Sequence, residues 1–149
     1  MRVVILGCGR IGSSLAIELD RQGHTVGIVD LRHEAFQRFL PSNFRGRLVL
    51  GHGIDEDVLR RAGLEQADCF VALTNEDNTN VMAAQVAGLI FHVPKIICRI
   101  YDREREETFR QLGLRTFAPI EMAAARIKEL VEAGARRQPR EQPDDEAGG

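Results

Sequence analysis

No stretch of this chain approaches the roughly 20 consecutive apolar residues that a membrane-spanning helix needs. Its formal charge balances to −2, and no Lys/Arg run goes beyond a pair such as Arg136-Arg137, so no nucleic-acid surface is implied. Met1-Arg2 leads straight into a short strand, unlike the charged start and apolar core of a secretory signal. These absences make a cytoplasmic location the expectation. Cysteine is scarce: Cys8, Cys69 and Cys98 are odd in number, scattered, and lack CxxC spacing. Reduced, buried thiols are expected rather than a disulfide framework. His24, His33 and His92 form no ligand cluster, no Ser/His/Asp or Cys/His set stands out, and no internal repeat is present. Nothing here suggests zinc or nucleophilic catalysis.

What is present begins at the seventh residue. Directly after the apolar run Val3-Val4-Ile5-Leu6 comes Gly7-Cys8-Gly9-Arg10-Ile11-Gly12, and Asp30 closes the next apolar run. Strand, glycine turn, helix, second strand and terminal carboxylate are the setting of a dinucleotide-type phosphate loop. Gly7 is expected to turn the chain tightly off the strand, Gly9 to let the backbone approach a pyrophosphate, and Gly12 to bring the helix close to the sheet. The helix beginning near Arg10 offers unpaired N–H groups and the positive end of its dipole to an anion. Arg10 adds a cation for terminal phosphates, or is simply a solvated arginine at a helix start. Asp30, with Leu31 beside it, accepts hydrogen bonds from ribose hydroxyls or caps the next helix. Its charge would repel a 2′-phosphate, favouring NAD or an adenine mononucleotide over NADP, although Arg32 pulls the other way. Cys8 sits where a helix N-terminus favours a thiolate, so redox sensing is its alternative role.

Strand and helix alternate throughout. Strands are expected at Arg2–Leu6, Thr25–Asp30, Arg47–Leu50, Cys69–Leu73, Lys95–Ile100 and Arg115–Phe117. Helices are expected at Arg10–Gln22, with Ile11, Leu15 and Leu19 at helical spacing, and at Glu34–Leu40, ended by Pro41. A short helix follows Ile54 behind Asp55-Glu56-Asp57 and stops at Gly63. The polar turn Thr74-Asn75-Glu76-Asp77-Asn78 opens a long helix to about His92, and another covers Glu104–Leu112. In that turn Thr74, Asn75 and Asn78 serve as caps, with Thr74 and Asp77 at capping spacing, or as walls of a ligand cleft.

The second, fourth and fifth strands read as continuous apolar runs, the mark of burial on both faces of a parallel sheet. Together these elements predict an α/β chain, a Rossmann-type doubly wound parallel six-stranded sheet of order 3-2-1-4-5-6 with an extra C-terminal helix. A ligand is expected across the carboxyl ends of strands one and four. The loops there are the glycine loop, Asp30, Gly51–Gly53, Thr74–Asn78 and the region after Arg99. His52 and Gly53 are candidates to flank an adenine, Gly53 by allowing close approach.

Residues 1–135 are expected to form one domain, including a terminal helix over 119–135. Ile120, Ala123, Ala124, Ile127, Leu130, Val131 and Gly134 line one face of that helix, which must pack on its own domain or on a partner subunit. The polar 136–149 tail has no periodicity and is expected to be disordered.

With these residues laid out, 1–135 resembles the N-terminal nucleotide-binding domain of the regulators of potassium conductance, also called KTN or TrkA-N. The stretches that carry the likeness are MRVVILGCGRIG (Met1–Gly12), GHGIDEDVLRRAGL (Gly51–Leu64), DCFVALTNEDNTNVMAA (Asp68–Ala84) and RIYDREREETFRQLG (Arg99–Gly113). The resemblance implies a non-catalytic, cytoplasmic regulatory subunit at the inner face of the membrane. It would serve a Trk-type potassium transporter or channel, form homodimers and higher rings, and change shape with NAD(H), ATP, ADP or AMP. It makes Arg99 a phosphate or partner-chain contact, against a surface salt bridge. It also lets Glu121 help hold Mg²⁺ against nucleotide phosphates, against a plain first-turn acid. Full-length members usually carry a second lobe where this chain has its polar tail. The rival readings are a module sensing the NADH/NAD ratio and a fragment of an NAD-dependent dehydrogenase, the latter wanting a substrate domain.

Overall fold

The computed structural model describes residues 1–134, so the polar stretch at 136–149 lies outside the described residues. Six strands, β1 (Arg2–Leu6), β2 (Thr25–Asp30), β3 (Arg47–Leu50), β4 (Cys69–Ala72), β5 (Lys95–Arg99) and β6 (Arg115–Phe117), form one sheet of order β3-β2-β1-β4-β5-β6. Every neighbouring pair is parallel, with Leu6 of β1 in register with Val29 of β2 and Ala72 of β4. The crossovers carry α1 (Arg10–Arg21), α2 (His33–Phe39), α3 (Glu56–Arg61), α4 (Asp77–Leu89) and α5 (Arg103–Gln111). This is the doubly wound Rossmann-type fold, followed by the extra C-terminal helix α6 (Pro119–Ala133).

Successive strand residues face opposite sides of a sheet, and the core divides accordingly. Val3 and Ile5 join Val26, Ile28 and Val71 in a layer completed by Ala16 of α1 and Ala35 and Phe36 of α2. Val4 and Leu6 join Val29, Val49 and Phe70 on the other side, under Val58 and Leu59 of α3 and Ala83 and Ala87 of α4. The alanines of α4 let that helix approach Phe70, which is fully buried. Asp55 starts α3 by accepting the N–H groups of Asp57 (2.8 Å) and Val58 (3.4 Å). Asp102 does the same for α5 with Glu104 (3.0 Å) and Arg105 (3.4 Å).

Three local readings change. β5 is not buried on both faces: of its residues only Cys98 is buried, because the coverage beyond it is a three-residue strand and the highly charged α5. The helix expected to reach His92 stops at Leu89. The N–H groups of Ile90 and Phe91 both return to the Val86 carbonyl, and His92 takes a positive φ of 54°. A short 3₁₀ turn over Leu64–Gln66, absent from the sequence reading, follows α3 and buries Leu64.

The chain divides into two compact units, Met1–Ala118 and the segment beginning at Pro119. Taken by itself, α6 is laced by Arg126–Glu129 and Lys128–Glu132 ion pairs one turn apart. Its Ile120, Met122, Ile127, Leu130 and Val131 are exposed.

Candidate functional site

At the carboxyl ends of β1 and β4 the winding reverses, and a cleft of about 680 Å³ opens there. It brings together Gly7, Gly9, Arg10, Ile11, Gly12, Asp30, Leu31, His52, Gly53, Thr74, Asn75 and Arg99 from segments far apart in sequence. Two sequence candidates do not line it. The Cys8 side chain is fully buried, and the Asn78 side chain turns to Arg105, its Oδ1 accepting from the Arg105 Nη2 at 2.5 Å.

The three glycines of the loop have separable reasons. Gly7 has a φ of 102°, a conformation that L side chains rarely adopt, and its N–H donates to the Val29 carbonyl at 2.8 Å. A Cβ on Gly12 would lie 1.9 Å from the Gly7 carbonyl oxygen, so glycine sets how closely α1 packs on the loop. A Cβ on Gly9 would meet no protein atom within 4 Å. Packing within the chain therefore does not demand glycine at position 9, whereas a phosphate approaching the backbone from the cleft does. The first bond inside α1 runs from the Ser13 N–H to the Gly9 carbonyl (2.9 Å), and Gly9 has no side chain with which to cap. The amide groups of the first turn thus remain for an anion.

Asp30 ends β2 with its side chain only 12% exposed. One carboxylate oxygen accepts the Cys8 N–H at 2.8 Å and the other the Arg32 N–H at 2.9 Å. The second bond spans two residues and shapes the turn into α2, a capping-type role that does not exhaust the carboxylate. A carboxylate has about four acceptor sites, and two stay free for hydroxyls. The Arg32 guanidinium lies 3.9 Å away.

Cys8 is the buried free thiol expected of the three cysteines, and its alternative reading as a helix-end thiolate does not hold. Burial, and secondarily the Asp30 charge, push its thiol up to about 11, so a helix-end thiolate does not form near neutral pH. Its sulfur lies 3.8 Å from the Ala35 carbonyl oxygen. Its backbone N–H, held by Asp30, is what it contributes to the loop.

Across the cleft, Arg99 stacks over Tyr101, 4.2 Å from the ring centre, and its Nη1 donates to the Leu73 carbonyl at 3.3 Å. Its Nε is buried without a hydrogen-bond partner, alone in this among the described residues. Burial lowers its pKa, and the Asp77 charge opposes that. Its nearby acid is thus Asp77 at some remove, not a salt-bridge partner.

The Thr74–Asp77 capping pair does not form. The Thr74 hydroxyl donates to Asn80 at 2.7 Å, and Asp77 instead accepts the N–H groups of Tyr101 (2.9 Å) and Asp102 (3.0 Å). The first turn of α4 is spent on the corner after β5. Gly53 lines the cleft, but a Cβ there would strike the Leu6 side chain at 2.3 Å, so its bareness first makes room for the core.

Sequence reasoning missed Arg38 and Phe39 of α2, which stand in the cleft wall with the guanidinium 5.1 Å from the ring centre. It also missed Asn80, which in sequence is only the last of four polar residues that open α4, Asp77-Asn78-Thr79-Asn80. In sum, Arg10, Arg32, Arg38 and Arg99 face only Asp30 and Glu76 as acids. That excess of cations suits a polyanion. No group of three or more His, Cys, Asp or Glu able to hold a metal gathers among the described residues. No helix among them is long and apolar enough to cross a membrane.

A second concavity of about 700 Å³ lies at the amino end of the sheet and also contains arginines. Two of these are engaged as helix C-terminal partners, Arg45 donating to the Asp20 carbonyl (2.5 Å) and Arg47 to the Arg61 carbonyl (2.9 Å), while Arg60 pairs with Asp57 and Glu65.

Comparison with known proteins agrees with this geometry. The TrkA-N domain model matches residues 3–118. The Trk system potassium uptake protein TrkA of Streptomyces coelicolor is 45% identical over 136 residues, 91% of this chain and 60% of that protein. The chain therefore spans less than two thirds of that relative's length. The Kef C-terminal domain of Shewanella denitrificans in its AMP-bound form superposes with a TM-score of 0.75 at 22% identity, covering 91% of this chain and 84% of that one. GsuK bound to ADP superposes at 0.71 with 25% identity, covering 89% and 34%. The GsuK channel bound to NAD gives 0.72 at 23%, covering 88% and 23%. Sheet order, glycine loop and match over residues 3–118 together make this chain a member of the TrkA-N domain family.

Proposed function

We propose that the chain is a nucleotide-sensing regulatory subunit of a Trk-type potassium transporter or channel, without catalytic activity of its own. The observation that carries the reading is the cleft at the winding reversal, where free α1 amides, Arg10 and Arg99 surround a carboxylate with acceptor sites to spare. The ligand is NAD(H) or an adenine nucleotide (ATP, ADP or AMP). Gly9 and the start of α1 take its pyrophosphate, Arg10 its terminal phosphates, Asp30 its ribose hydroxyls, and Arg99 a further phosphate oxygen. His52 and Gly53, with Leu31, border its base. Mg²⁺ accompanies a triphosphate. Nucleotides in the relatives' structures support this reading.

The subunit works as a homodimer or a higher ring on the cytoplasmic face of the membrane. Its ligand shifts the population of dimer geometries only by as much as it binds one better. A tenfold preference is worth roughly 1.4 kcal/mol per site, so several coupled sites give a decisive switch.

Thermal-shift measurements with NAD, NADH, ATP, ADP and AMP, with and without Mg²⁺, test the reading. A ligand at 100 times its Kd stabilises by about 2.7 kcal/mol, several degrees for a domain of this size. A rise ordered by phosphate number supports an energy-state sensor, and a rise with NAD(H) alone turns the reading to redox state. No rise with any of them removes the nucleotide from the proposal. Co-purification with a membrane potassium transporter tests the partner, and turnover of nicotinamide would replace the regulator with an enzyme.

A further inference from the structure

Asn80 is fully buried on the first turn of α4 and is not one of the residues lining the cleft. Its amide nevertheless joins two of the cleft's walls. The oxygen accepts the Thr74 N–H at 2.9 Å and the Thr74 hydroxyl at 2.7 Å. The nitrogen donates to the Thr74 carbonyl at 2.9 Å and to the Arg99 carbonyl at 3.0 Å. Two acceptor sites and two donors on one planar group are all used. Aspartate, of the same shape, supplies no donor, and an apolar residue would leave buried backbone groups unpaired.

At the end of β5 and just past β4, then, the two strands are tied by a side chain. Arg99 is referred twice to residues 73–74, through its carbonyl to Asn80 and through Nη1 to Leu73. Between those ties its buried Nε remains without a partner in the cleft wall. Asp77, one turn earlier on the same helix, holds the next two amides of that corner, Tyr101 and Asp102. The start of α4 thus sets where the Arg99 guanidinium stands.

We infer that Asn80 is a positioning residue for the phosphate half of the cleft: by fixing Thr74 against Arg99 it aims the Arg99 guanidinium at the phosphates of a bound nucleotide. The inference deepens the nucleotide reading and depends on it. Asn80 touches no ligand and acts through Arg99.

A double-mutant cycle tests this, with ATP affinity measured by calorimetry on the whole chain. If ATP does not raise the melting temperature and NADH does, NADH is the titrant. The variants are Asn80→Asp, Asn80→Ser, Arg99→Gln and each Asn80 variant combined with Arg99→Gln. Asn80→Asp or Asn80→Ser is expected to weaken binding about tenfold in the native background and less than twofold beside Arg99→Gln, since coupled residues are non-additive. Equal losses in the two backgrounds, or no loss, overturn the role.

The native chain provides a measurement that needs no buried substitution. The Asn80 side-chain amide and Arg99 Nε–H resonances should shift together on addition of the same nucleotide. An Arg99 shift with an unmoved Asn80, or no shift of either from a bound nucleotide, overturns the inference. If the native chain binds neither ATP nor NADH, the nucleotide reading falls and takes this inference with it. That outcome is distinct from additivity.

Discussion

The carboxylate of Asp30, at the end of β2, holds the backbone N–H of Cys8 in the glycine loop at 2.8 Å. The bond spans two neighbouring strand ends, so one acid both orders the glycine loop and lines the cleft. Its other oxygen, on the Arg32 N–H, shapes the way into α2. Loop geometry and the acceptor sites that Asp30 presents to the cleft are therefore coupled through a single side chain.

Replacing Asp30 with Ala should remove ribose recognition and loosen the loop together. Charge-assisted hydrogen bonds contribute about 1.5–3 kcal/mol, so ribonucleotide affinity should fall roughly 10- to 100-fold. Native protein should prefer ATP over 2′,3′-dideoxy-ATP, and the variant should not. A preference that survives Asp30→Ala would take the acid out of the ribose role.

Arg10 stands at the exposed start of α1 and lines the cleft. Arg10→Ala should weaken ATP more than AMP, by about tenfold if one charge-assisted contact to a terminal phosphate is lost. Equal losses for the two nucleotides would return Arg10 to a solvated helix-start residue.

The loop glycines should separate stability from binding. Gly12→Ala puts a methyl group 1.9 Å from the Gly7 carbonyl oxygen, so α1 must move. Overpacking of this kind costs about 1–3 kcal/mol or more, which denaturant melts would register. Gly9→Ala meets nothing within 4 Å and keeps an allowed φ of −87°. A poorer N-cap and a less flexible unfolded chain offset to within about 1 kcal/mol. Its stability should stay close to native while nucleotide affinity drops, and undiminished affinity would move the phosphates off Gly9.

Alkaline pH should destabilise the fold through its buried thiols. Burial raises Cys8 to about 11 and Cys98 to about 12, and raises Cys69 as well. A thiol with a native pKa above its unfolded value binds its proton more tightly when folded. The stability it provides is complete below about pH 8.5, the unfolded value, and is lost as pH rises through 9 toward 11. Melting temperatures should therefore decline above pH 9, with a shallower decline for Cys8→Ala. An identical pH profile for that variant would show that Cys8 takes no part.

Much of this architecture was legible in the chain because it depends on local chemistry. The run Val26–Val29 declares a buried parallel strand, and Asp55 declares a helix start by an oxygen placed two and three residues before free amides. GxGxxG and Asp30 pointed to the end of the sheet where the cleft opens. Burial of β5 was misjudged because an apolar run does not reveal how little covers it. Thr74 and Asp77 had the spacing of a capping pair, but partners at Asn80 and Tyr101 took them up.

By itself, then, the sequence determined the order of strands and helices, the glycine turn and the carboxylate that follows it. Those follow from periodicity, steric freedom and hydrogen-bonding groups within a few residues of one another. Only the tertiary structure decided the long-range pairings. It put Asp30 on Cys8, turned Cys8 itself inward as a protonated thiol, stood Arg38 and Phe39 in the cleft wall, and spent Asn80 on Thr74 and Arg99. Residues 8 and 30, or 80 and 99, meet because parallel strands deliver their ends to one edge, and no local rule of sequence measures that distance.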